Sequence, residues 1–253
     1  MKTRTMVVAI ALSVGVLLFL GSCATTETPL PDVAGETWDY VILGSSVGTW
    51  WAEYYGDSIE SDLGVKLFYL SHYVGAQPVS GLLKNIRNDE RLRGNIKKAE
   101  VITIGVGIAD MNYAIGMYGA GGRNDRRRLK EELDTFRETY DSMLTELLSL
   151  TSPTDTIIRV MDFYYPNVGR DQEKGIYNQI KSSWQKFNKC IIQAARKRGI
   201  PVAKVFQAFH GPHGNDDPAE KGYLDKDGLH SSEEGKKIIA AEFQKLGYEY
   251  ASP

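Results

Sequence analysis

The chain has 253 residues, a formal net charge of −2 and a hydrophobic fraction of 42%. This length is sufficient for one domain with a sizeable core, and the composition is ordinary for a globular protein. A net charge so close to zero argues against a nucleic-acid partner, because binding to phosphates requires a strongly basic surface.

The first 23 residues have the pattern of an export signal. Lys2 and Arg4 precede an apolar run from Met6 to Leu20, and Gly21-Ser22-Cys23 follows it. A positive start, an apolar stretch short for a membrane span and small residues before a cysteine are typical of a bacterial lipoprotein signal. We therefore expect a lipidated Cys23 and an exported protein that is anchored to a membrane of the cell envelope. A plain signal peptide with a secreted product and a short N-terminal anchor are the alternatives.

Residues 24–36 carry threonine, proline and acidic residues without periodicity, which predicts a flexible tether before a domain over residues 37–253. Cys190 is the only cysteine besides Cys23. If Cys23 carries lipid, no disulfide within the chain is possible. Cys190 lies in a helical pattern and is interpreted as a buried apolar side chain rather than a nucleophile.

From Trp38 onward, short apolar runs alternate with amphipathic stretches. The predicted strands cover 39–43, 65–70, 101–104, 156–161 and 202–206, and the predicted helices cover 49–62, 79–92, 124–150, 174–198 and 232–246. This alternation indicates a parallel sheet covered by helices on both faces. Gly116 to Gly122 is predicted to be a surface loop. Arg126-Arg127-Arg128 is interpreted as solvated turns of a long helix rather than as an anion-binding patch.

The first predicted strand runs directly into Leu43-Gly44-Ser45-Ser46. Ligands of such sheets bind at the carboxyl ends of strands, and glycine allows a sharp turn that leaves a serine hydroxyl uncovered. A helix that begins after Ser46 would direct backbone N–H groups at an oxyanion formed there. Ser46 is therefore the candidate nucleophile, although a Gly-Ser turn without any chemistry has the same pattern.

The segment Asp227-Gly228-Leu229-His230 supplies the candidate acid–base pair. At this spacing the carboxylate can accept a hydrogen bond from one imidazole nitrogen, and the other nitrogen is then free to take a proton from a serine. Ser231 and Glu234 have the spacing of a capping box, which predicts that the last helix begins directly after His230.

The other histidines have no comparable partner. His210 and His213 are predicted to be solvated loop residues rather than metal ligands, and no metal is predicted. His72 follows the second strand and could line the site. Six aromatic residues are interpreted mainly as packing, with a sugar-binding or acyl-binding site as the alternative: Trp50, Trp51, Tyr54, Tyr55, Tyr164 and Tyr165.

Gly44-Ser45-Ser46 after the first strand, together with Asp227-Gly228-Leu229-His230 before the last helix, resembles the SGNH (GDSL-type) hydrolases. The resemblance covers Trp38 to Tyr248. It implies a flavodoxin-like three-layer α/β sandwich with a five-stranded parallel sheet, commonly of order 2-1-3-4-5. It also implies cleavage of carboxylic esters, thioesters or acetyl groups without a metal or another cofactor.

Ser46 matches the family's nucleophile, and Asp227 and His230 match its Asp-x-x-His block. Ser45 stands where the family usually has aspartate. The oxyanion donors implied by the resemblance are the backbone N–H groups of Ser46 and Gly75, with Gly81 as the alternative glycine.

The family's third block, Gly-x-Asn-Asp, matches Gly107-Ile108-Ala109-Asp110, in which Ala109 cannot donate to the oxyanion. Loss of one such donor typically costs about a hundred- to a thousandfold in rate. Asn112, two residues beyond Asp110, is the candidate replacement.

A literal GDSI string, Gly56-Asp57-Ser58-Ile59, occurs elsewhere in the chain. It follows the aromatic segment 50–55 rather than a strand, and it precedes the approach to the second strand. Ser58 is therefore predicted to lie on a helix, away from the ends of the strands, and the match is interpreted as incidental.

The sequence thus predicts a serine-dependent hydrolase of the esterase, lipase or acetylesterase type that acts on a small-molecule, glycan or lipid ester. The changes at Ser45 and Ala109 favour the main alternative, a catalytically impaired envelope binding protein that keeps the hydrolase scaffold. A flavin-binding protein with the same sheet topology is a third possibility. The sequence does not select a substrate.

Overall fold

The structure is a computed structural model that describes residues 33–118 and 123–250. The predicted signal segment, Cys23 and most of the predicted tether lie outside the described residues. Within the two described ranges, no helix combines the length and the apolar character that crossing a membrane requires.

A five-stranded parallel sheet forms the centre of the molecule. The strands are β1 (Thr37–Gly44), β2 (Lys66–Tyr73), β3 (Val101–Gly105), β4 (Ile157–Met161) and β5 (Val202–Ala203). Their order is β2-β1-β3-β4-β5, and all neighbours are parallel. Every residue of β3 and β4 is buried, as expected for central strands with helices on both faces. The predicted α/β class, sheet and strand order are confirmed.

Helices cover both faces of this sheet. They are α1 (Ala52–Leu63), α2 (Val79–Asn88), α3 (Glu90–Lys98), α4 (Ile108–Tyr118), α5 (Arg123–Leu148), α6 (Val168–Glu173), α7 (Tyr177–Arg196), α8 (Val205–His210) and α9 (Glu233–Gln244). α9 packs against α1 and α8, whereas α5 packs against α2, α4 and α7. These two groups of helices are the outer layers of a three-layer sandwich.

Two predicted elements differ from the observed ones at places where a side-chain carboxyl group accepts a backbone N–H. The helix predicted over 79–92 is two helices, because the Asp89 side chain accepts a hydrogen bond from the N–H of Leu92 at 3.0 Å and starts α3 there. The strand predicted over 202–206 was wrong beyond Ala203. The chain turns into α8 at Val205 because the buried carboxyl group of Asp162 accepts the N–H of Phe206 at 2.8 Å.

Several smaller predictions can be compared directly. The predicted loop over Gly116 to Gly122 was wrong at its start, because α4 continues to Tyr118, and 119–122 lie outside the described residues. Arg126, Arg127 and Arg128 are exposed on α5, which confirms that they are solvated helix residues. Cys190 is a buried free cysteine on α7, as predicted.

The described chain enters the domain at the amino edge of the sheet. The N–H of Gly35 donates to the carbonyl of Gly64 at 2.9 Å, and the N–H of Lys66 donates to the carbonyl of Glu36 at 2.8 Å. Val33 is buried. Packed residues therefore reach back to Val33.

Candidate active site

The carboxyl ends of β1 and β3 are joined by an unusually close backbone contact. Gly44 pairs with Gly105, and the N–H of Ser45 donates to the carbonyl of Gly105 at 3.1 Å. Gly48 approaches Gly105 so closely that a Cβ on either residue would overlap the other's carbonyl. Gly44 has φ of 149°, in the region that favours glycine. These contacts fix the turn that presents Ser46 at the carboxyl edge of the sheet.

Ser46, His230 and Asp227, which were predicted to act together, meet at this edge. Ser46 and His230 are 184 positions apart in the sequence, yet Ser46 Oγ lies 2.9 Å from His230 Nε2. His230 Nδ1 lies 2.5 Å from Asp227 Oδ2. With the carboxylate ionised, Nδ1–H donates to Asp227, and Nε2 can accept the hydroxyl proton of Ser46.

Asp227 also organises the loop that carries the histidine. Its Oδ1 accepts the backbone N–H groups of Leu229 at 2.8 Å and His230 at 2.9 Å. The carbonyl of His230 accepts the N–H of Asp225 at 2.8 Å. From the sheet side, the hydroxyl of Tyr164 donates to the carbonyl of Leu229 at 2.7 Å. The imidazole is therefore held by its own loop and by the residues that follow β4.

Asp227 should make the stability of this loop depend on pH. The hydrogen bond from His230, together with those from the backbone, lowers the pKa of Asp227 to about 2. Because folding depresses the pKa of Asp227, the ionised carboxylate stabilises the fold at pH values above its unfolded-state pKa, which is near 4. This contribution is lost as the pH falls through the folded-state pKa of about 2. We expect the difference in unfolding free energy between the wild type and Asp227→Asn to shrink between about pH 4 and pH 2.

Urea unfolding at a series of pH values measures this difference. Lys226→Gln, an exposed change in the same loop, controls for general charge effects. A wild-type advantage over Asp227→Asn that persists unchanged at pH 2 would contradict the assignment.

The last helix begins one residue later than predicted. Ser232 is the N-cap of α9, and its Oγ accepts the N–H of Gly235 at 3.1 Å. The predicted capping box of Ser231 and Glu234 is therefore wrong. Ser231 forms an antiparallel bridge with Leu224, so the helix can begin only after it.

Trp50 contacts the histidine directly. Its ring stacks on the ring of His230 with a centroid distance of 4.4 Å and an interplanar angle of 16°, and it remains 45% exposed. Tyr54, one helical turn further on, donates its hydroxyl to Glu233 at the start of α9. The remaining members of the predicted aromatic set are buried, as expected for packing: Trp51, Tyr55, Tyr164 and Tyr165. In the sequence, the available sign that Trp50 contacts the reactive residues was its position four residues after Ser46.

The two backbone N–H groups that were predicted to hold an oxyanion have no acceptor in the described part of the chain. One belongs to Ser46 itself, the first residue of a short 3-10 turn over Ser46–Gly48. The other belongs to Gly75, in the exposed turn after β2. The N–H of Val74 donates to the carbonyl of Gly44 at 3.1 Å, which holds this turn beside the end of β1. The alternative glycine, Gly81, lies on α2, and its N–H already donates to Pro78 at 3.0 Å.

The third block has no side-chain amide. The chain from the last residue of β3, Gly105, to Asp110 in the first turn of α4 includes no asparagine. Ala109 and Asp110 line a cavity of about 390 Å³ with residues that follow β2. Asp110 Oδ2 accepts the N–H of Val79 at 3.0 Å, and burial raises its pKa to about 6. Asp110 therefore links α4 to the start of α2.

Asn112 lines a different cavity, together with residues of α6 and α7, and Ser46 is not among the residues around that cavity. This position gives no support to Asn112 as the replacement oxyanion donor.

The prediction for His210 was wrong, because α8 continues to this residue and buries it completely. Its Nε2 accepts the N–H of Tyr165 at 2.9 Å, and its Nδ1 donates to the carbonyl of Asp216 at 2.9 Å. Burial lowers the pKa of His210 to about 4, so the ring is neutral near pH 7. His213 is exposed, as predicted.

His72 and Ser58 form their side-chain hydrogen bonds with residues other than Ser46, Asp227 and His230. His72 is part of β2, and its Nε2 lies 2.9 Å from the amide nitrogen of Asn95 on α3. Ser58 is on α1 and donates to the carbonyl of Tyr54 at 3.1 Å, which confirms that the GDSI string is on a helix. Over residues 33–118 and 123–250, no cluster of three or more histidine, cysteine or acidic side chains is arranged to hold a metal.

Residues 37–243 match the family model described as GDSL-like Lipase/Acylhydrolase. The chain belongs to this family. The match spans all five strands and ends within α9, so the GDSL-like domain includes both Ser46 and the loop of His230. No sequence among the curated proteins matches the chain.

Solved structures of similar fold include several hydrolases. The lipase Lip_vut3 from a goat rumen metagenome is 21% identical with a TM-score of 0.70, and the alignment covers 83% of this chain and 98% of that one. A lipase/acylhydrolase from Enterococcus faecalis is 16% identical with a TM-score of 0.56, over 85% and 99% of the two chains. The acetyl xylan esterase AlAXEase is 13% identical with a TM-score of 0.56, over 83% and 99%. These likenesses support the fold of the GDSL-like domain.

Proposed function

We propose that this GDSL-like hydrolase cleaves carboxylic esters through a covalent acyl-enzyme formed on Ser46. The observation that carries the proposal is the distance of 2.9 Å between Ser46 Oγ and His230 Nε2, with Asp227 on the opposite side of the imidazole. A serine hydroxyl is a weak nucleophile until a neighbouring base takes its proton, and this geometry supplies the base and the group that orients it.

The proposed reaction has two steps. His230 accepts the proton of Ser46 as Oγ attacks the ester carbonyl, and the resulting imidazolium then gives this proton to the leaving alcohol. In the second step, His230 takes a proton from water as the water oxygen attacks the acyl carbonyl. The imidazolium returns this proton to Ser46 Oγ as the bond between the acyl group and Oγ breaks and the acid is released. Asp227 keeps Nδ1 protonated and stabilises the imidazolium in both steps. No step requires a metal or another cofactor.

The oxyanion is proposed to be held by the backbone N–H groups of Ser46 and Gly75, which are free of other acceptors in the described part of the chain. Ala109 adds no donor. Because one lost donor typically costs about a hundred- to a thousandfold in rate, we expect slow turnover relative to an enzyme with a complete oxyanion hole.

Labelling with a fluorophosphonate tests the proposal, because this reagent modifies serine hydroxyls that are activated by a base. We expect one label on each molecule, on the peptide that contains Ser46, with no label on Ser58. Ser46→Ala should abolish labelling, and Ser58→Ala is the matched control that keeps it. An unlabelled wild-type protein would overturn the proposal and favour the impaired binding protein instead.

Trp50 is proposed as a positioning residue for His230. Its ring face stacks on the imidazole, so it restrains the ring and stabilises the positive charge that develops there during catalysis. We expect Trp50→Ala to lower kcat about tenfold with a smaller change in KM, and Trp50→Phe to restore most of the loss.

Steady-state kinetics on a short aryl ester measure this effect. Phe68→Ala removes an aromatic ring that is 59% exposed on β2 and serves as the control. Equal losses in the Ala and Phe variants of Trp50, or no loss in either, would contradict the positioning role.

We also propose that the protein is exported and held at a membrane of the cell envelope through lipid on Cys23. The proposal is supported by the charged start, the apolar run and the small residues before this cysteine. Expression of the full chain in a bacterium with a labelled fatty acid tests it. Label that is incorporated into the wild type and absent from Cys23→Ser is expected, and equal incorporation in both would overturn it.

A further inference from the structure

A second cavity opens at the carboxyl edge of the sheet, between α4, α6 and the start of α7. Its volume is about 450 Å³, within the range of small-molecule sites. The polar side chains around it are Asn112, Tyr165, Asn167, Arg170, Asp171 and Lys174. None of them has a part in the proposed reaction at Ser46.

The charges around this cavity leave an excess of one cation. Asp171 is 2% exposed, and its carboxylate accepts the hydroxyl of Tyr165 and the Nε–H of Arg170, the latter at 2.9 Å. Arg170 therefore compensates the charge of Asp171. Lys174 is exposed and forms no ion pair within the described residues. The one positive charge left over among Arg170, Asp171 and Lys174 favours a ligand with one negative charge.

The amide groups in the wall indicate the rest of the ligand. The side chains of Asn112 and Asn167 form no hydrogen bond with the described part of the chain, and each offers two donors and one acceptor oxygen. Hydroxyl groups both donate and accept, so they satisfy such amides from either side. Ile115 and Ile180 add apolar wall. The site thus suits a hydroxylated ligand that carries one carboxylate or phosphate group.

We propose that this cavity binds a hydroxylated ligand that bears a carboxylate or a phosphate. This binding does not depend on the proposed ester hydrolysis.

Calorimetry on the full-length wild-type protein tests the affinity with three probes: glucuronate, glucose 6-phosphate and glucose. We expect at least one of the two anions to bind about tenfold or more tightly than glucose, and the stronger of the two identifies the oxyanion as carboxylate or phosphate. Lys174→Gln should weaken binding of that anion about tenfold, and Asn112→Ala should weaken it by a smaller factor. Lys186→Gln, an exposed lysine on α7, should have no effect. Equal affinity for all three probes, or binding insensitive to Lys174→Gln, would overturn the site.

Discussion

Replacing Ser46 with alanine is expected to lower kcat/KM for a short aryl ester by about a thousandfold or more, because this change removes the atom that forms the acyl-enzyme. The geometry supports an effect of this size, since Ser46 Oγ is the group within hydrogen-bond distance of His230 Nε2. Active-site titration must show that the residual rate does not come from contaminating wild-type enzyme. The matched control is Ser58→Ala, which removes the serine of the GDSI string on α1 and should keep full activity.

The same experiment extends to His230, because substitutions of residues that act as a unit do not have additive effects on the activation free energy. We expect His230→Ala to lose about as much activity as Ser46→Ala, and the double variant to lose little more than either. Losses that multiply in the double variant would show that the two residues act independently. That result would be incompatible with proton transfer between them.

Gly105→Ala is expected to cost about 3 kcal/mol or more in the free energy of unfolding, because the added Cβ would overlap the carbonyl of Gly48. The backbones of β3 and of the turn after Ser46 would have to separate, which also displaces the serine. Activity should therefore fall about a hundredfold even in the folded fraction, since small displacements of catalytic groups are costly.

Gly94→Ala is the matched control, because Gly94 lies on α3 with no other atom within 4 Å of the position of a new Cβ. Alanine in a helix is favoured over glycine by about 0.5–1 kcal/mol, so this variant should be slightly more stable than the wild type. Urea unfolding midpoints measure both changes. An unfolding free energy of Gly105→Ala within 1 kcal/mol of the wild type would contradict the argument from close backbone contact.

The sheet and the position of the reactive residues were accessible from local sequence patterns. Continuous apolar runs such as Val101 to Ile104 predict buried parallel strands, and the strand that ends in Gly44-Ser45-Ser46 identifies the functional edge. The spacing of Asp227 and His230 is also local, because the carboxylate can reach the imidazole only when a compact loop brings the two together. These features do not depend on distant contacts.

Features that depend on distant partners were harder to predict. The end of β5 is set by Asp162, a buried residue directly after β4 that accepts the N–H of Phe206, and a local apolar run gives no sign of this. His210 was assigned to solvent because its neighbours are polar, yet its partner Tyr165 lies 45 positions earlier. The start of α9 was displaced by one residue because Ser231 bridges to Leu224.

The point where the chain enters the sheet limits how an anchored molecule would face its surroundings. Gly35 binds Gly64 where β1 begins, whereas Ser46 follows the end of β1, about 26 Å further along the strand. Residues 24–32 reach at most about 30 Å even when fully extended. Because this reach exceeds the separation along β1, lipid on Cys23 would leave the molecule free to turn Ser46 either toward the bilayer or away from it. An anchored hydrolase of this kind would meet esters of its own membrane as well as esters that arrive from the aqueous side.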